Sequence, residues 1–140
     1  MTLREVLLPL FAEVILTFAL LFWMAFLRTR AITSGATKTR DIALRQPGWP
    51  EPVTKVANAF HNQLELPMLF YVLTILAWDT HHAGTVFVAL AWLFVICRVI
   101  QAVIHVTSNH VRQRGLAFIL GAIVLAIMWA SYMMDILIGT

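Results

Sequence analysis

Charged residues are scarce in this sequence, and their scarcity argues against a soluble globular protein. Asp, Glu, Lys and Arg make up 12% of the chain, and hydrophobic residues make up 61%. Soluble domains carry about 25% charged and roughly 45–50% apolar residues. The net charge is +3, yet no basic soluble face exists for a nucleic acid to bind. The composition therefore predicts a membrane protein whose partners include lipids and not nucleic acids.

The sequence also has few residues that could cross-link it. Its single cysteine, Cys97, cannot form an internal disulfide, and its apolar surroundings favour a small buried residue over a reactive one. No HxxH or HxxxE pattern is joined by a third ligand at a matching depth, so we predict no metal site.

Four long apolar runs make up most of the sequence. Each fits the roughly 20 residues that a helix needs to cross a bilayer. We predict spans at about 6–27, 53–78, 84–107 and 114–137, which form one domain over residues 1–140. The first run is too long for the apolar region of a cleaved signal peptide. The expected fold is an all-α, integral membrane four-helix bundle.

The basic residues between the spans predict the orientation of the bundle. The second turn has no Lys or Arg, whereas the third connection holds Arg112 and Arg114. The first connection is the most basic, with Arg28, Arg30, Lys38, Arg40 and Arg45. Because cytoplasmic loops are enriched in Lys and Arg, we expect loops one and three in the cytoplasm and both termini on the other side.

Two charged residues lie deep inside predicted spans. Glu65 is ten residues beyond Lys55, and Arg98 is nine residues before Thr107. Both therefore lie roughly 14–15 Å from the cytoplasmic side at 1.5 Å per residue. Intramembrane charges usually face a bundle interior and have a partner. The simplest interpretation is a structural ion pair between Glu65 and Arg98, with direct chemistry as the alternative.

Polar residues extend this pair into two stripes at helical spacing. The same counting places Asn62 level with Gln101, and Asn58 level with His105. The stripes are Asn58-Asn62-Glu65 and Arg98-Gln101-His105. Matching stripes predict a polar cleft between two helices, although interhelical hydrogen bonding alone would also explain them.

Two further residues stand out within the predicted spans. Pro67 is expected to kink the second helix one turn beyond Glu65. Glu13 is deep in the first span, and the sequence gives it no partner.

The polar segments resemble those of a known family. The segment from Lys55 to Pro67 is similar to the second-helix signature of the MAPEG family, the membrane-associated proteins of eicosanoid and glutathione metabolism. The segment from Arg98 to His105, with Arg112 and Arg114 after it, is similar to that family's third-to-fourth helix region. The resemblance covers essentially the whole chain and is closest in kind to microsomal glutathione transferase-like, bacterial-type members.

The resemblance implies a homotrimer with sites between neighbouring subunits that open to the cytoplasm. It implies glutathione as cosubstrate and hydrophobic electrophiles, taken from the membrane, as second substrates. Arg114 would stabilise the glutathione thiolate and is the implied catalytic residue. The implied glutathione-binding residues are Asn58, Asn62, Glu65, Arg98, His105 and Arg112.

The chain departs from the glutathione-binding members at three positions. It has Asn58 where they usually carry arginine, His105 where they carry tyrosine, and Gln101 where they often carry histidine. One branch of the family is non-catalytic and binds lipid. Two functions are therefore carried forward. The first is a glutathione-dependent transferase or peroxidase, and the alternative is a non-catalytic lipid-binding or scaffold protein.

Overall fold

The computed structural model describes residues 1–43 and 48–139, and these residues are helical apart from short connections. Arg45, one of the basic residues of the first loop, lies outside them, as does Thr140. A short 3₁₀ turn at Thr39–Asp41 lies in the first loop. The α-helices are α1 (Leu3–Thr33), α2 (Glu51–Asn62), α3 (Leu66–Asp79), α4 (Thr85–Val106) and α5 (Val111–Ile138).

The second predicted span is two helices in series. α2 has 12 residues and α3 has 14, and the chain between them is not helical. Pro67 explains the break, because proline lacks an N–H and its ring clashes with the carbonyl four residues earlier, here that of Gln63. The same proline is tolerated in the first turn of α3. The sequence predicted a kink after Glu65, whereas the structure ends α2 before it.

The helices form a four-helix bundle if α2 and α3 are counted as one span. α1, α4 and α5 have 31, 22 and 28 residues, and each is long and apolar enough to cross a membrane. Their outward faces are apolar, as Ile15, Phe22 and Ile123 illustrate with more than half of each side chain exposed. The fold is therefore that of an integral membrane protein with apolar surface available to lipid.

The apolar core is concentrated on one side of the break. Its largest cluster joins α3, α4 and α5 around Phe70, Leu73, Phe94, Leu125 and Met128. Only small clusters pack against α2, and they consist mainly of alanine, valine and leucine side chains. The α3 end of the bundle is thus closely packed, and the α2 end leaves room for a cleft.

Contacts at the α2 end tie the first loop and the helix ends together. The Arg28 guanidinium lies 5.1 Å from the centre of the Trp49 ring, a cation–π contact. The Thr37 hydroxyl donates to the Gly48 carbonyl at 3.1 Å. Lys55 Nζ donates to the carbonyl oxygen of Thr107 at 3.2 Å, so the start of α2 lies at the level of the end of α4.

Candidate functional site

A polar cleft of about 460 Å³ opens between α2, α4 and α5. Nearly every residue that lines it can donate or accept a hydrogen bond. They are Asn58, His61, Asn62, Glu65, Gln101, His105 and Arg114, with Gly115 and Phe118 on the α5 side. The two polar stripes seen in the sequence thus contribute five of their six members to one cavity. The exception is Arg98.

The two stripes meet at Asn62 and His105. Asn62 Nδ2 lies 2.9 Å from His105 Nε2 and donates to it in the tautomer that carries its proton on Nδ1. Counting along the sequence had placed Asn62 level with Gln101 and Asn58 level with His105. That register was wrong although Asn62 and His105 both lie in continuous helices. The count assumed that α2 and α4 start at one level with the same tilt, and a difference in either moves residues with equal counts to different depths.

The expected ion pair between Glu65 and Arg98 is not formed. Arg98 is completely buried, and its Nη2 donates to the backbone carbonyl of Asn62 at 2.7 Å. Glu65 is exposed on the cleft side. The helix break explains the change of partner. A carbonyl at the end of a helix has no intrahelical donor, and here the guanidinium supplies one.

Arg98 is not among the residues that line the cleft. Glu13 is also completely buried, on α1. No partner of Glu13 was predicted from the sequence, and its two carboxylate oxygens have no hydrogen-bond partner among the described residues. Arg98 therefore lies behind the cleft wall and not among the residues that a ligand in the cleft would touch.

Arg114 reaches the cleft and is held there by a residue that the sequence did not single out. Its Nη1 donates to Asn109 Oδ1 at 2.6 Å. Asn109 lies in the turn between α4 and α5 with φ of 51°. Asparagine tolerates this left-handed conformation better than most residues. An Asn in a short loop five residues before an arginine was the available signal, and it is a weak one.

Arg112 stands apart from the other predicted binding residues. It is exposed on α5 and does not line the cleft. Arg112 is two positions before Arg114, which places the two side chains about 200° apart around the helix. His61 and Phe118, in contrast, line the cleft although neither was predicted as a site residue. Asn58, His61 and Glu65 are all exposed in the single chain.

The fold and the cleft define a polytopic all-helical membrane protein with a polar binding cavity at one end. Comparison with known families makes this more specific. The chain belongs to the MAPEG family, whose family model matches residues 6–134. No curated protein and no solved structure matches the chain. Family membership supports a glutathione-related, transferase- or peroxidase-like function at family level, and the family also includes non-catalytic members.

Proposed function

We propose that this protein is a glutathione-dependent transferase or peroxidase that acts on hydrophobic electrophiles dissolved in the membrane. The observation that carries the proposal is the cleft itself, where Arg114 lies at the same cavity as Glu65 and several amide and imidazole side chains. Glutathione has two carboxylates, one ammonium group, two peptide groups and a thiol. The cleft offers a complementary group for most of these.

Each side chain has a role in this proposal that follows from its chemistry. The Glu65 carboxylate accepts hydrogen bonds from the ammonium group of glutathione. Asn58 and Asn62 bond to its peptide groups, and His105, held by Asn62, adds a ring nitrogen to the same wall. Arg114 lies near the thiol. A neighbouring guanidinium favours the thiolate, which is the nucleophilic form.

The proposed reaction begins with loss of the thiol proton to water in the open cleft. The thiolate sulfur then forms a bond to the electrophilic carbon of the second substrate, and a leaving group departs with its electron pair. With a hydroperoxide, sulfur instead attacks the outer oxygen, and the alcohol leaves. A second glutathione then converts the sulfenic acid to glutathione disulfide and water. Phe118 offers the apolar side of the cleft to the hydrophobic substrate.

A homotrimer is part of the same proposal. Asn58, His61 and Glu65 are polar but exposed in a single chain. Among the described residues that line the cleft, Arg114 is the only arginine or lysine, and a ligand with two carboxylates calls for more than one such cation. A neighbouring subunit packed against α2 would cover these residues and supply the missing donors. We propose that the cleft faces the cytoplasm, because the basic loops one and three lie at its end of the bundle.

The alternative is a non-catalytic lipid-binding or scaffold protein with the same fold. Three residues favour it, since Asn58, Gln101 and His105 replace groups that glutathione-binding members usually carry. A lipid headgroup would use the same polar cleft, but it would need no thiolate-stabilising cation. The two functions therefore differ in what Arg114 does.

The test compares Arg114→Ala with Arg30→Ala, which removes an exposed arginine at the end of α1. In detergent-purified wild-type protein, bound glutathione should show thiolate absorbance and should conjugate a hydrophobic electrophile. Arg114→Ala should leave the oligomer intact and lower both signals by about tenfold or more, as for loss of one electrostatic stabiliser. Arg30→Ala should behave as wild type. Wild-type protein without glutathione binding or a thiolate signal would leave the lipid-binding alternative in place.

A further inference from the structure

A basic surface lies where the first loop folds back onto the end of α1, outside the cleft. The backbone N–H of Thr37 donates to the Ala31 carbonyl at 3.2 Å, and its hydroxyl donates to the Gly48 carbonyl at 3.1 Å. Thr37 is buried, so the two bonds hold the loop against the helix. Lys38 follows Thr37 and Trp49 follows Gly48, so the backbone at both residues lies near the end of α1.

Arg28 is the central residue of this surface. Its guanidinium lies 5.1 Å from the centre of the Trp49 ring. Its Nε is buried without a hydrogen-bond partner, whereas its two terminal nitrogens are accessible and make no hydrogen bond or ion pair to the described residues. Glu51, the acidic residue nearest to Trp49 in sequence, lies 3.5 Å from Lys55 Nζ instead. An aromatic ring thus orients Arg28, and no anion among the described residues pairs with it.

The position of Arg28 along α1 sets its depth in the membrane. It directly follows the first apolar run, which ends at Leu27. Tryptophan is enriched at the level of the lipid headgroups, and a long arginine side chain extends its charge toward the same level. Residues 28–40 include Arg28, Arg30, Lys38 and Arg40 but no Asp or Glu. The surface is therefore positively charged at the depth of the lipid phosphates.

We propose that Arg28, Lys38 and Trp49 form a binding site for the phosphate group of an anionic phospholipid. The planar guanidinium offers paired N–H donors that match two phosphate oxygens. The Trp49 ring covers one face of the guanidinium, and Lys38 adds a second positive charge at the same end of α1. These charges select an anionic lipid over phosphatidylcholine, in which choline already balances the phosphate.

The occupant is a lipid and not a soluble anion, because both halves of a lipid find a partner here. The phosphate meets Arg28 at the membrane surface. Below it, α1 exposes apolar side chains such as Phe22 and Phe26, which acyl chains can contact. Arg28 and Trp49 are not among the residues that line the cleft, so this site is separate from the one proposed for glutathione.

The test measures binding of phosphatidylglycerol to the detergent-purified full chain, by native mass spectrometry over a lipid titration without glutathione. Phosphatidylcholine with the same acyl chains should bind more weakly to the unaltered protein. Arg28→Gln should weaken phosphatidylglycerol binding about tenfold, as for loss of hydrogen bonds between charged groups. Trp49→Leu keeps the charge but removes the ring that orients it, and it should also weaken binding. Arg30→Gln is the matched control, because it removes an exposed arginine about 200° around α1 from Arg28.

Arg30→Gln should reduce binding clearly less than Arg28→Gln. Equal losses would overturn the site and leave a diffuse basic surface, on which each arginine counts alike. Equal affinity of the unaltered protein for the two lipids would overturn it as well, and this comparison needs no variant to fold.

Excess glutathione separates this site from the cleft. It should leave bound phosphatidylglycerol in place, since Arg28 does not line the cleft. Displacement of the lipid by glutathione would instead assign Arg28 to the ligand of the cleft and refute the lipid site. The lipid titrations themselves contain no glutathione, so this site and the proposed function can fail separately.

Discussion

Asn109 offers a sharp test of how Arg114 is positioned in the cleft. Its side chain accepts a hydrogen bond from Arg114, and its own backbone has a left-handed conformation. Glycine at this position keeps φ near 51° without steric cost but removes the oxygen that accepts from Arg114. Alanine removes the same oxygen and adds a backbone penalty of about 1–2 kcal/mol. Aspartate keeps an acceptor. The three variants therefore separate the hydrogen bond from the backbone conformation.

The expected magnitude follows from the 2.6 Å contact. A hydrogen bond to a charged group contributes about 1.5–3 kcal/mol net, and the partial exposure of both residues reduces this to about 1 kcal/mol. That corresponds to a factor of about 5 in an equilibrium constant. Asn109→Gly should thus weaken glutathione binding about fivefold and lower the thiolate absorbance.

Titration calorimetry with glutathione, together with ultraviolet absorbance of the bound thiolate, measures both effects. Asn109→Asp should stay close to wild type. Asn109→Gly with unchanged affinity and unchanged absorbance would refute the positioning of Arg114 by Asn109. The melting temperature gives an independent check, since Asn109→Ala should be less stable than Asn109→Gly whether or not glutathione binds.

Three other predictions follow from the structure. Because Glu65 and Arg98 do not pair, the stability losses of Glu65→Gln and Arg98→Gln should add in the double variant, and a coupling above about 0.5 kcal/mol would show that they meet. A Cβ at Gly121 would lie 3.5 Å from the Cβ of Cys97, an ordinary contact, so Gly121→Ala should be tolerated. Gly121→Leu should cost about 1–3 kcal/mol by overpacking, and an unchanged melting temperature would contradict this packing. A reporter active only in the cytoplasm should be silent at the C-terminus, and a strong signal there would reverse the predicted orientation.

The sequence was sufficient for the fold class and for most of the residues that meet in the cleft. Apolar run length predicted a helical membrane bundle, which the structure and the family match confirm. Helical spacing grouped Asn58, Asn62 and Glu65 with residues of α4, and all three line the cavity. Periodicity works here because it depends only on local geometry, which each segment carries in its own sequence.

Helical periodicity did not predict the contacts between helices. The contact of Asn62 with His105 depends on the relative tilt and starting level of α2 and α4, which counting along the sequence does not provide. The sequence also predicted a kink where the structure has a break between α2 and α3. The partner of Arg98 is the backbone carbonyl of Asn62. This carbonyl is available because α2 ends at Asn62, and the sequence did not predict that helix end. Arg112 was grouped with Arg114 because the two are close in sequence. Side chains two positions apart on a helix, however, point in different directions.

The break in the second span separates residues that hold the fold from residues that line the cleft. α3 supplies Phe70 and Leu73 to the main apolar cluster. α2 supplies Asn58, His61 and Asn62 to the cavity and packs only against small clusters. We therefore expect substitutions in the exposed face of α2 to change the lining of the cleft at little cost to the folding of a single chain. In evolutionary terms α2 is a segment where the cleft lining can change while α3 stays under constraint for stability.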